Sequence, residues 1–222
     1  MHVGLHAALD SKSELSQVIG ADVVFEVTRL EVSERVVDYC ITNGLNVVVG
    51  TSGWSATKLA ELEHKLAANP TAAVVVIPNF SIGSMLGSKF AAMAAKFFDS
   101  IEIVEAHHAG KIDSPSGTAV RTAEMIAEAR AGLTQALIPG VGQTARGEVV
   151  AGVPIHSIRL AGVSAKQDVH FGGNSEVLTI SHEVSSVSSY GHGIQLSLRV
   201  AAESQGLIVG LQAVVDASAK LA

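Results

Sequence analysis

The first half of the chain alternates between short apolar runs and segments in which apolar residues recur every three or four positions. Uninterrupted apolar runs are typical of parallel strands covered on both faces, and the wider spacing is typical of amphipathic helices. This order predicts a parallel α/β sheet with right-handed crossovers. We expect strands over residues 3–9, 21–27, 45–49 and 72–77, and helices over residues 32–43, 55–68 and 82–98.

From residue 101 onward the pattern changes to strand-like runs separated by glycine-rich turns. Residues 156–160 (HSIRL) and 176–183 (EVLTISHE) alternate apolar and polar side chains, which is typical of a sheet with one covered and one open face. The second half therefore predicts an α+β domain, inserted into the parallel domain or following it. We expect strands near 101–104, 149–160, 166–172 and 176–183 and helices over 119–131 and 191–204, while the pattern at 207–215 fits a strand or a helix.

Polar residues follow the predicted parallel strands, at the sheet edge where ligands bind in this class of fold. Asp10 is either an acceptor for a ribose hydroxyl group or a plain turn aspartate. Residues 50–53 (GTSG) either let a cofactor approach the backbone or form a tight turn. Asn79 either points its amide at a ligand or belongs to an ordinary turn. Because these loops share one edge, we expect a binding site there.

A second group of candidates lies in residues 105–119 (EAHHAGKIDSPSGTA), between a predicted strand and a predicted helix. His107 and Lys111 carry groups that can donate protons. Residues 116–118 (SGT) lie at a helix start, where N–H groups without intrahelical acceptors bind anions. Taken singly, the adjacent pair of His107 and His108 and the lysine also fit ordinary surface residues. Together they indicate an enzyme that acts on a carboxylate or phosphate substrate.

Composition narrows the class of protein. The formal net charge is −6 and the isoelectric point is about 5.8, with no basic block, which argues against a nucleic-acid partner. The single cysteine, Cys40, excludes an internal disulfide and fits a reducing cytoplasm. We expect no transmembrane helix, since no apolar stretch reaches about eighteen residues, and no signal peptide. The histidines lack metal-binding spacing and Ser116 lies outside a GxSxG elbow, so we expect neither a metal site nor a serine nucleophile.

Residues 105–119 closely resemble the signature of the 4-hydroxy-tetrahydrodipicolinate reductases, roughly E-x-H-H-x-x-K-x-D-x-P-S-G-T-A. The resemblance extends over nearly the whole chain and is nearest to the actinobacterial branch. It implies a Rossmann-like parallel-sheet domain from residues 1–81 and 190–222. It also implies an α+β domain over 82–189, with an open mixed sheet, for substrate binding and homotetramer formation. The other segments that resemble the family are 50–54 (GTSGW), 77–83 (IPNFSIG), 152–172 and 176–183.

The resemblance implies a specific reaction in lysine and diaminopimelate synthesis. A cyclic hydroxy-dicarboxylate, 4-hydroxy-tetrahydrodipicolinate, loses its hydroxyl group as water and receives a hydride from NADH or NADPH. The implied proton donors are His107 and Lys111. The implied substrate contacts are His108, Lys111, Gly117 and Thr118. The implied cofactor contacts are Asp10, Gly50, Thr51, Ser52, Ile77, Pro78, Asn79 and Phe80.

The sequence also departs from the family pattern. Family members begin with a strand and a G-x-x-G-x-x-G turn for the pyrophosphate, and the first predicted strand here matches the family's second. Roughly 25 residues, about one β-α unit, are therefore absent relative to the family. A start codon assigned too late, a fragment, or a paralog without cofactor binding each explain this difference. Smaller departures are Glu26-Val27-Thr28 in place of D-F-T, Gly110 in place of a usual histidine, and Val187 in place of a usual arginine.

Two alternative functions compete with the reductase. One is a different oxidoreductase on the same scaffold, similar to aspartate dehydrogenase, and the pattern of residues 105–119 argues against it. The other is a truncated or cofactor-deficient paralog that binds a dicarboxylate or supports assembly without catalysis. The departure at the glycine-rich turn favours this second alternative, and titration with NADH and NADPH distinguishes it from an enzyme.

Overall fold

The computed structural model describes residues 3–134, 140 and 142–221. The strands are β1 (Val23–Glu26), β2 (Asn46–Val49), β3 (Ala73–Val76), β4 (Ser100–His107), β5 (Glu148–Val150), β6 (Val153–Arg159), β7 (Ala165–Gly173), β8 (Glu176–Val184) and β9 (Gly206–Val209). The helices are α1 (Leu30–Thr42), α2 (Ala56–Ala68), α3 (Ile82–Ala94), α4 (Gly117–Ala129), α5 (Gly191–Glu203) and α6 (Leu211–Ser218). None of the helices in these residues has the length and apolar composition needed to cross a bilayer.

The chain divides into two units. Unit 1 contains the residues up to Ser81 and those from Tyr190 onward, and unit 2 contains Ile82–Ser189. Unit 1 is built on a parallel sheet in the order β1-β2-β3-β9, as the apolar runs predict. Valine and alanine fill β2 and β3, and these side chains are buried together with Val37 of α1 and Leu62 of α2.

The predicted strand over residues 3–9 is wrong. These residues pair with no strand in the described part of the chain, and Val3 and Leu5 are 58% and 83% exposed. A strand is stable only when its N–H and C=O groups pair with a neighbour. The apolar pattern of residues 3–9 is that of a strand, but the pairing partner that would make it one is not found among the described residues.

Local sequence signals explain where the helices begin and end. α2 begins after Ser55, whose side-chain oxygen accepts a hydrogen bond from the Lys58 N–H at 3.3 Å. α1 ends before Gly44, which has φ +68°, a conformation that favours glycine. α3 is shorter than predicted, because a 3₁₀ turn at Ala95–Phe97 replaces its last turn. The undecided segment 207–215 contains both elements, the end of β9 and the start of α6.

Unit 2 is a mixed sheet in the order β5-β6-β4-β7-β8, in which only the β4–β6 pair is parallel among the pairs described. α3 and α4 cover one face, where Ile103, Ile126 and Phe171 are buried. On the opposite face Ile158 and Val177 are exposed. The predicted sheet with one covered and one open face is confirmed.

The points where the chain leaves unit 1 and returns to it lie side by side within that unit. A Cβ atom on Gly193, near the start of α5, would lie 2.0 Å from the carbonyl oxygen of Phe80. Glycine at this position therefore allows α5 to approach the backbone after β3. This contact holds the loop that contains Pro78, Asn79 and Phe80 against α5.

Candidate active site

The first site is built around a buried carboxylate in β4. Alternation along a strand places Glu105 and His107 on the same face, and Glu105 is buried there. Its Oε2 atom lies 2.6 Å from Nδ1 of His107. Arg159, which is paired with His107 in the β4–β6 register, donates to Oε2 at 2.9 Å and to Oε1 at 3.0 Å. One carboxylate thus orients both a histidine and an arginine.

The charge of Glu105 determines the histidine tautomer. Burial alone raises the pKa of the Glu105 carboxyl, but hydrogen bonds from Arg159 and other neighbours outweigh it, and the pKa lies below its ordinary value. An ionised carboxylate only accepts hydrogen bonds, so Nδ1 of His107 is the donor in this pair. The Nε2 atom of His107 is then the ring nitrogen left for chemistry.

Glu105 also anchors the start of α4. The N–H group of Ser116 donates to Oε1 of Glu105 at 3.2 Å, and the Ser116 side chain accepts from the Ala119 N–H at 3.2 Å. Gly117 follows as the first helical residue, and a Cβ atom there would meet no atom within 4 Å. Open space beside the first N–H groups of a helix suits an anionic group. Thr118 is the second residue of the same turn.

Lys111 lies in the loop between β4 and α4 and is held by a carboxylate of the same loop. Its Nζ atom lies 2.6 Å from both side-chain oxygens of Asp113, and this ammonium group lowers the pKa of Asp113. Arg159 also donates to the backbone oxygen of Asp113 at 2.7 Å. Arg159 therefore connects the histidine to the loop that carries the lysine. His108 is exposed, and its carbonyl accepts the Lys111 N–H at 3.0 Å.

The second group of candidates lies in unit 1, where two loops follow β2 and β3. A Cβ atom on Gly50 would lie 2.9 Å from side-chain carbons of both Phe80 and Val27, so a larger residue there would force these side chains to shift. The Phe80 ring also packs edge to face against Phe25, with centroids 5.8 Å apart. The structure thus brings Gly50 and Phe80, two of the sequence candidates, into contact.

The remaining candidate residues of unit 1 differ in which of their polar groups can face a ligand. The Ile77 side chain is buried, so only its backbone can face a ligand. Asn79, which follows Pro78, accepts the Ser81 N–H at 2.9 Å in a turn. The Thr51 hydroxyl is engaged within the protein. The N–H groups of Ser52 and of Gly53 donate to no protein acceptor among the described residues.

Asp10 does not follow a strand in the structure. Its Oδ1 atom accepts the Lys12 N–H at 2.9 Å and the Ser13 hydroxyl at 3.0 Å. These hydrogen bonds lower the pKa of Asp10, and the bond from the Lys12 N–H has the largest effect. Among the described residues its hydrogen bonds all lie within its own turn, and its second carboxylate oxygen takes part in none of them.

Three residues at these sites were not assigned a role from the sequence. Arg159 lies in the alternating run 156–160, but its position opposite His107 depends on strand register, which periodicity does not give. Asp113 was visible only as a fixed position of the resembled signature. Glu26 is a buried carboxylate at the end of an apolar run. Because charged residues are rarely buried without partners, its position in the sequence is a signal for hydrogen-bond donors around it.

Comparison with known families extends over most of the chain. The family model for the N-terminus of dihydrodipicolinate reductase matches residues 2–80, and the model for its C-terminus matches residues 83–215. A 4-hydroxy-tetrahydrodipicolinate reductase from Clavibacter sepedonicus is 54% identical over 212 residues, covering 96% of this chain and 76% of the relative. One from Streptomyces griseus is 45% identical over 201 residues, covering 89% of this chain and 80% of the relative.

A solved structure supports the same comparison. The dipicolinate-bound dihydrodipicolinate reductase from Paenisporosarcina sp. TG-14 is 36% identical, with a TM-score of 0.73. The match covers 89% of this chain and 75% of that one. Both the sequence and the fold of this chain are therefore similar to one enzyme family.

Proposed function

The chain belongs to the dihydrodipicolinate reductase family, and we propose on that premise how its own residues carry the family reaction. The reaction is the reduction of 4-hydroxy-tetrahydrodipicolinate to tetrahydrodipicolinate by a nicotinamide cofactor, in lysine and diaminopimelate synthesis. Overall one hydride and one proton are consumed, and the hydroxyl group leaves as water. Of the two donated protons, one leaves with the hydroxyl group and the other replaces a ring proton lost when water is eliminated. We assign cofactor binding to unit 1 and substrate binding to unit 2.

His107 is the first proton donor in this proposal. The single observation that carries the assignment is the 2.6 Å contact between Nδ1 of His107 and Glu105. As a proton donor the ring acts in its imidazolium form: Nδ1–H donates to Glu105, and Nε2–H is directed toward the reacting group. Because Arg159 holds Glu105 through two bonds, the ring is fixed by a rigid partner.

Lys111 and the start of α4 take the dicarboxylate. We assign one substrate carboxylate to the N–H groups of Gly117 and Thr118 and to the Thr118 hydroxyl, and we assign His108 as a further substrate contact. Lys111 is the second proton donor and a cation for the substrate. Its pairing with Asp113 holds the ammonium group in the loop until a substrate carboxylate arrives. The dipicolinate bound to the Paenisporosarcina enzyme is a dicarboxylate of the same class.

The loops of unit 1 suit a nicotinamide cofactor, which supplies the hydride when bound. The N–H groups of Ser52 and Gly53 are donors without protein acceptors among the described residues, as an amide or phosphate ligand requires. We assign the nicotinamide end to Gly50, Thr51, Ser52 and the segment Ile77, Pro78, Asn79 and Phe80. We assign an adenosine ribose to Asp10, and either NADH or NADPH as the cofactor.

Lys111→Ala tests the catalytic assignment. Loss of a positioned proton donor is expected to lower kcat on the order of 10²-fold or more. The measurement is the decrease in reduced nicotinamide absorbance with the hydroxy-dicarboxylate as substrate. Lys89→Ala is the matched control, since Lys89 is an exposed lysine of α3 in the same unit. Near-normal turnover by Lys111→Ala would contradict the assignment.

We also propose that the chain assembles as a homotetramer through the open face of unit 2. Ile158 and Val177 lie on this face, and Val177 is 73% exposed. Apolar side chains exposed on a sheet face are typical of an interaction surface. Light scattering after gel filtration should give four times the chain mass, and the double variant Ile158→Lys, Val177→Lys should give a smaller species. A monomer in the unaltered protein would contradict the proposal.

A further inference from the structure

Glu26 is a buried carboxylate in unit 1, and in the described part of the chain its hydrogen bonds come from neutral groups alone. It ends β1 and is 3% exposed. Its Oε1 atom accepts from the Thr28 N–H at 2.7 Å, from the Thr28 hydroxyl, and from the Thr51 hydroxyl at 2.9 Å. Its Oε2 atom accepts from the Ser33 hydroxyl at 2.5 Å. Burial of a carboxylate is costly unless such bonds satisfy it, so this set of donors is a built structure.

Glu26 fixes the first part of the loop after β2. The Thr51 hydroxyl donates to Glu26 and accepts the Thr28 N–H at 2.8 Å, so both of its roles are filled within the protein. The N–H group of Gly50 donates to the backbone oxygen of Glu26 at 2.8 Å. One residue therefore holds this loop segment through its main chain and its side chain.

A second branch from Glu26 reaches the end of the same loop. Ser33 donates to Glu26 and accepts the indole N–H of Trp54 at 3.3 Å. The loop is thus held at Thr51 and at Trp54, and Ser52 and Gly53 lie between these two points. Gly53 has φ +98°, so the short span turns sharply. The N–H groups of Ser52 and Gly53, like those of Thr51 and Trp54, donate to no protein acceptor among the described residues.

We propose that Glu26 is a positioning residue for the nicotinamide cofactor, which acts by holding the loop of residues 50–54 through Thr51, Ser33 and Trp54. In this arrangement Thr51 contacts the cofactor through its backbone only, because its hydroxyl is committed to Glu26. The inference rests on the proposed function, since it assumes that this loop binds the cofactor. Glu26 makes no contact with the cofactor in this proposal, but it affects cofactor affinity through the loop that it holds.

The test compares Glu26→Leu with Glu63→Leu, which makes the same change at an exposed site of α2. Calorimetric titration of the full chain with NADH and with NADPH gives the Kd of each cofactor, and titration with dipicolinate gives a control Kd. Glu26→Leu should raise the better cofactor's Kd on the order of tenfold, since the loop's donors lose their fixed positions. The dipicolinate Kd should not change, and Glu63→Leu should match the unaltered chain for both ligands.

A double-mutant cycle separates positioning from direct contact. If Thr51 acts only through Glu26, Thr51→Val should weaken cofactor binding, Thr51→Ser should restore it, and Glu26→Leu with Thr51→Val should be no weaker than Glu26→Leu alone. Trp54 is the one tryptophan of the chain, so its emission reports whether the network is disturbed before any ligand is added. Thr51→Val carries the test if Glu26→Leu does not fold, since it removes the Thr51 hydroxyl bond to Glu26 by itself.

Two results would overturn the inference and leave the proposed function intact. One is an unchanged cofactor Kd in Glu26→Leu and Thr51→Val, and the other is full additivity in the cycle, which would mean that the Thr51 hydroxyl contacts the cofactor directly. A different result would overturn both proposals: dipicolinate binds the unaltered chain, but neither NADH nor NADPH binds.

Discussion

Glu26 and Glu105 are both buried carboxylates near the carboxyl ends of strands, but their partners differ in kind. Glu105 is bound by Arg159 and His107, a cation and a group that can become one. Glu26 is bound by hydroxyl and N–H groups, and no ion pair to it occurs among the described residues. Glu105 therefore orients a histidine that can carry a proton, whereas Glu26 orients the hydroxyl and N–H groups of a loop. The two carboxylates thus correspond to the proposed catalytic site and to the proposed positioning network.

Removing the cation from the Glu105 site should have the largest effect. Arg159→Leu removes the cation from a buried carboxylate and leaves it with hydrogen bonds from His107 and the Ser116 N–H. We expect a loss of about 3 kcal/mol in the free energy of unfolding, with turnover reduced as well. Urea unfolding followed by circular dichroism measures the loss. Arg121→Leu is the control, because the Arg121 ion pairs with Glu124 and Glu128 are exposed and worth about 1 kcal/mol or less. Equal losses in Arg159→Leu and Arg121→Leu would contradict the expectation that the buried pair of Arg159 and Glu105 stabilises the fold more than an exposed ion pair does.

Replacing the charge at Glu105 should change how stability depends on pH. The pKa of Glu105 is lowered in the folded chain, so its contribution to stability is present above its ordinary value of 4.5 and is lost as pH falls through the folded pKa. Glu105→Gln should therefore be less stable than the unaltered chain at neutral pH, with the difference shrinking below pH 4.5. Unfolding midpoints measured from neutral pH downward test this. A difference that stays constant with pH would show that the Glu105 charge is not what stabilises the site.

The same amide substitution at Glu26 should have the smallest effect. Glu26→Gln keeps an oxygen for Thr28 and Thr51, and the Ser33 hydroxyl can rotate to accept from the new amide. We expect a cost of about 1 kcal/mol in the free energy of unfolding at neutral pH. Tryptophan emission during urea unfolding measures it, because Trp54 lies in unit 1. A cost as large as that of Glu105→Gln would mean that the two carboxylates are equivalent.

The sequence predicts features that depend on neighbouring residues and misses those that depend on strand pairing. The valine run of β2 and the Ser55 cap of α2 are local signals, and both elements form where expected. Residues 3–9 have an equally good strand pattern but no partner strand in the described chain, so they form none. Whether a segment forms a strand depends on a partner strand, and the composition of the segment does not reveal that partner.

The candidate site divides in the same way. His107, Lys111 and the turn at Gly117 lie close together in the chain, so their spacing alone is informative. Arg159 reaches Glu105 only because β6 lies parallel to β4 with His107 opposite Arg159. Glu26 meets Thr51 only because β1 and β2 are neighbours. Both missed groups act across strands, where a single sequence carries little information about register.

The contact between Gly193 and Phe80 bears on the modular construction of the chain. All of unit 2 is inserted between these two points of unit 1, and they meet so closely that no side chain fits between them. An insertion whose ends are already joined in the host can vary in length without moving the host's own elements. A short linker from Ser81 to Tyr190 would therefore bridge these two points of unit 1 if unit 2 were removed.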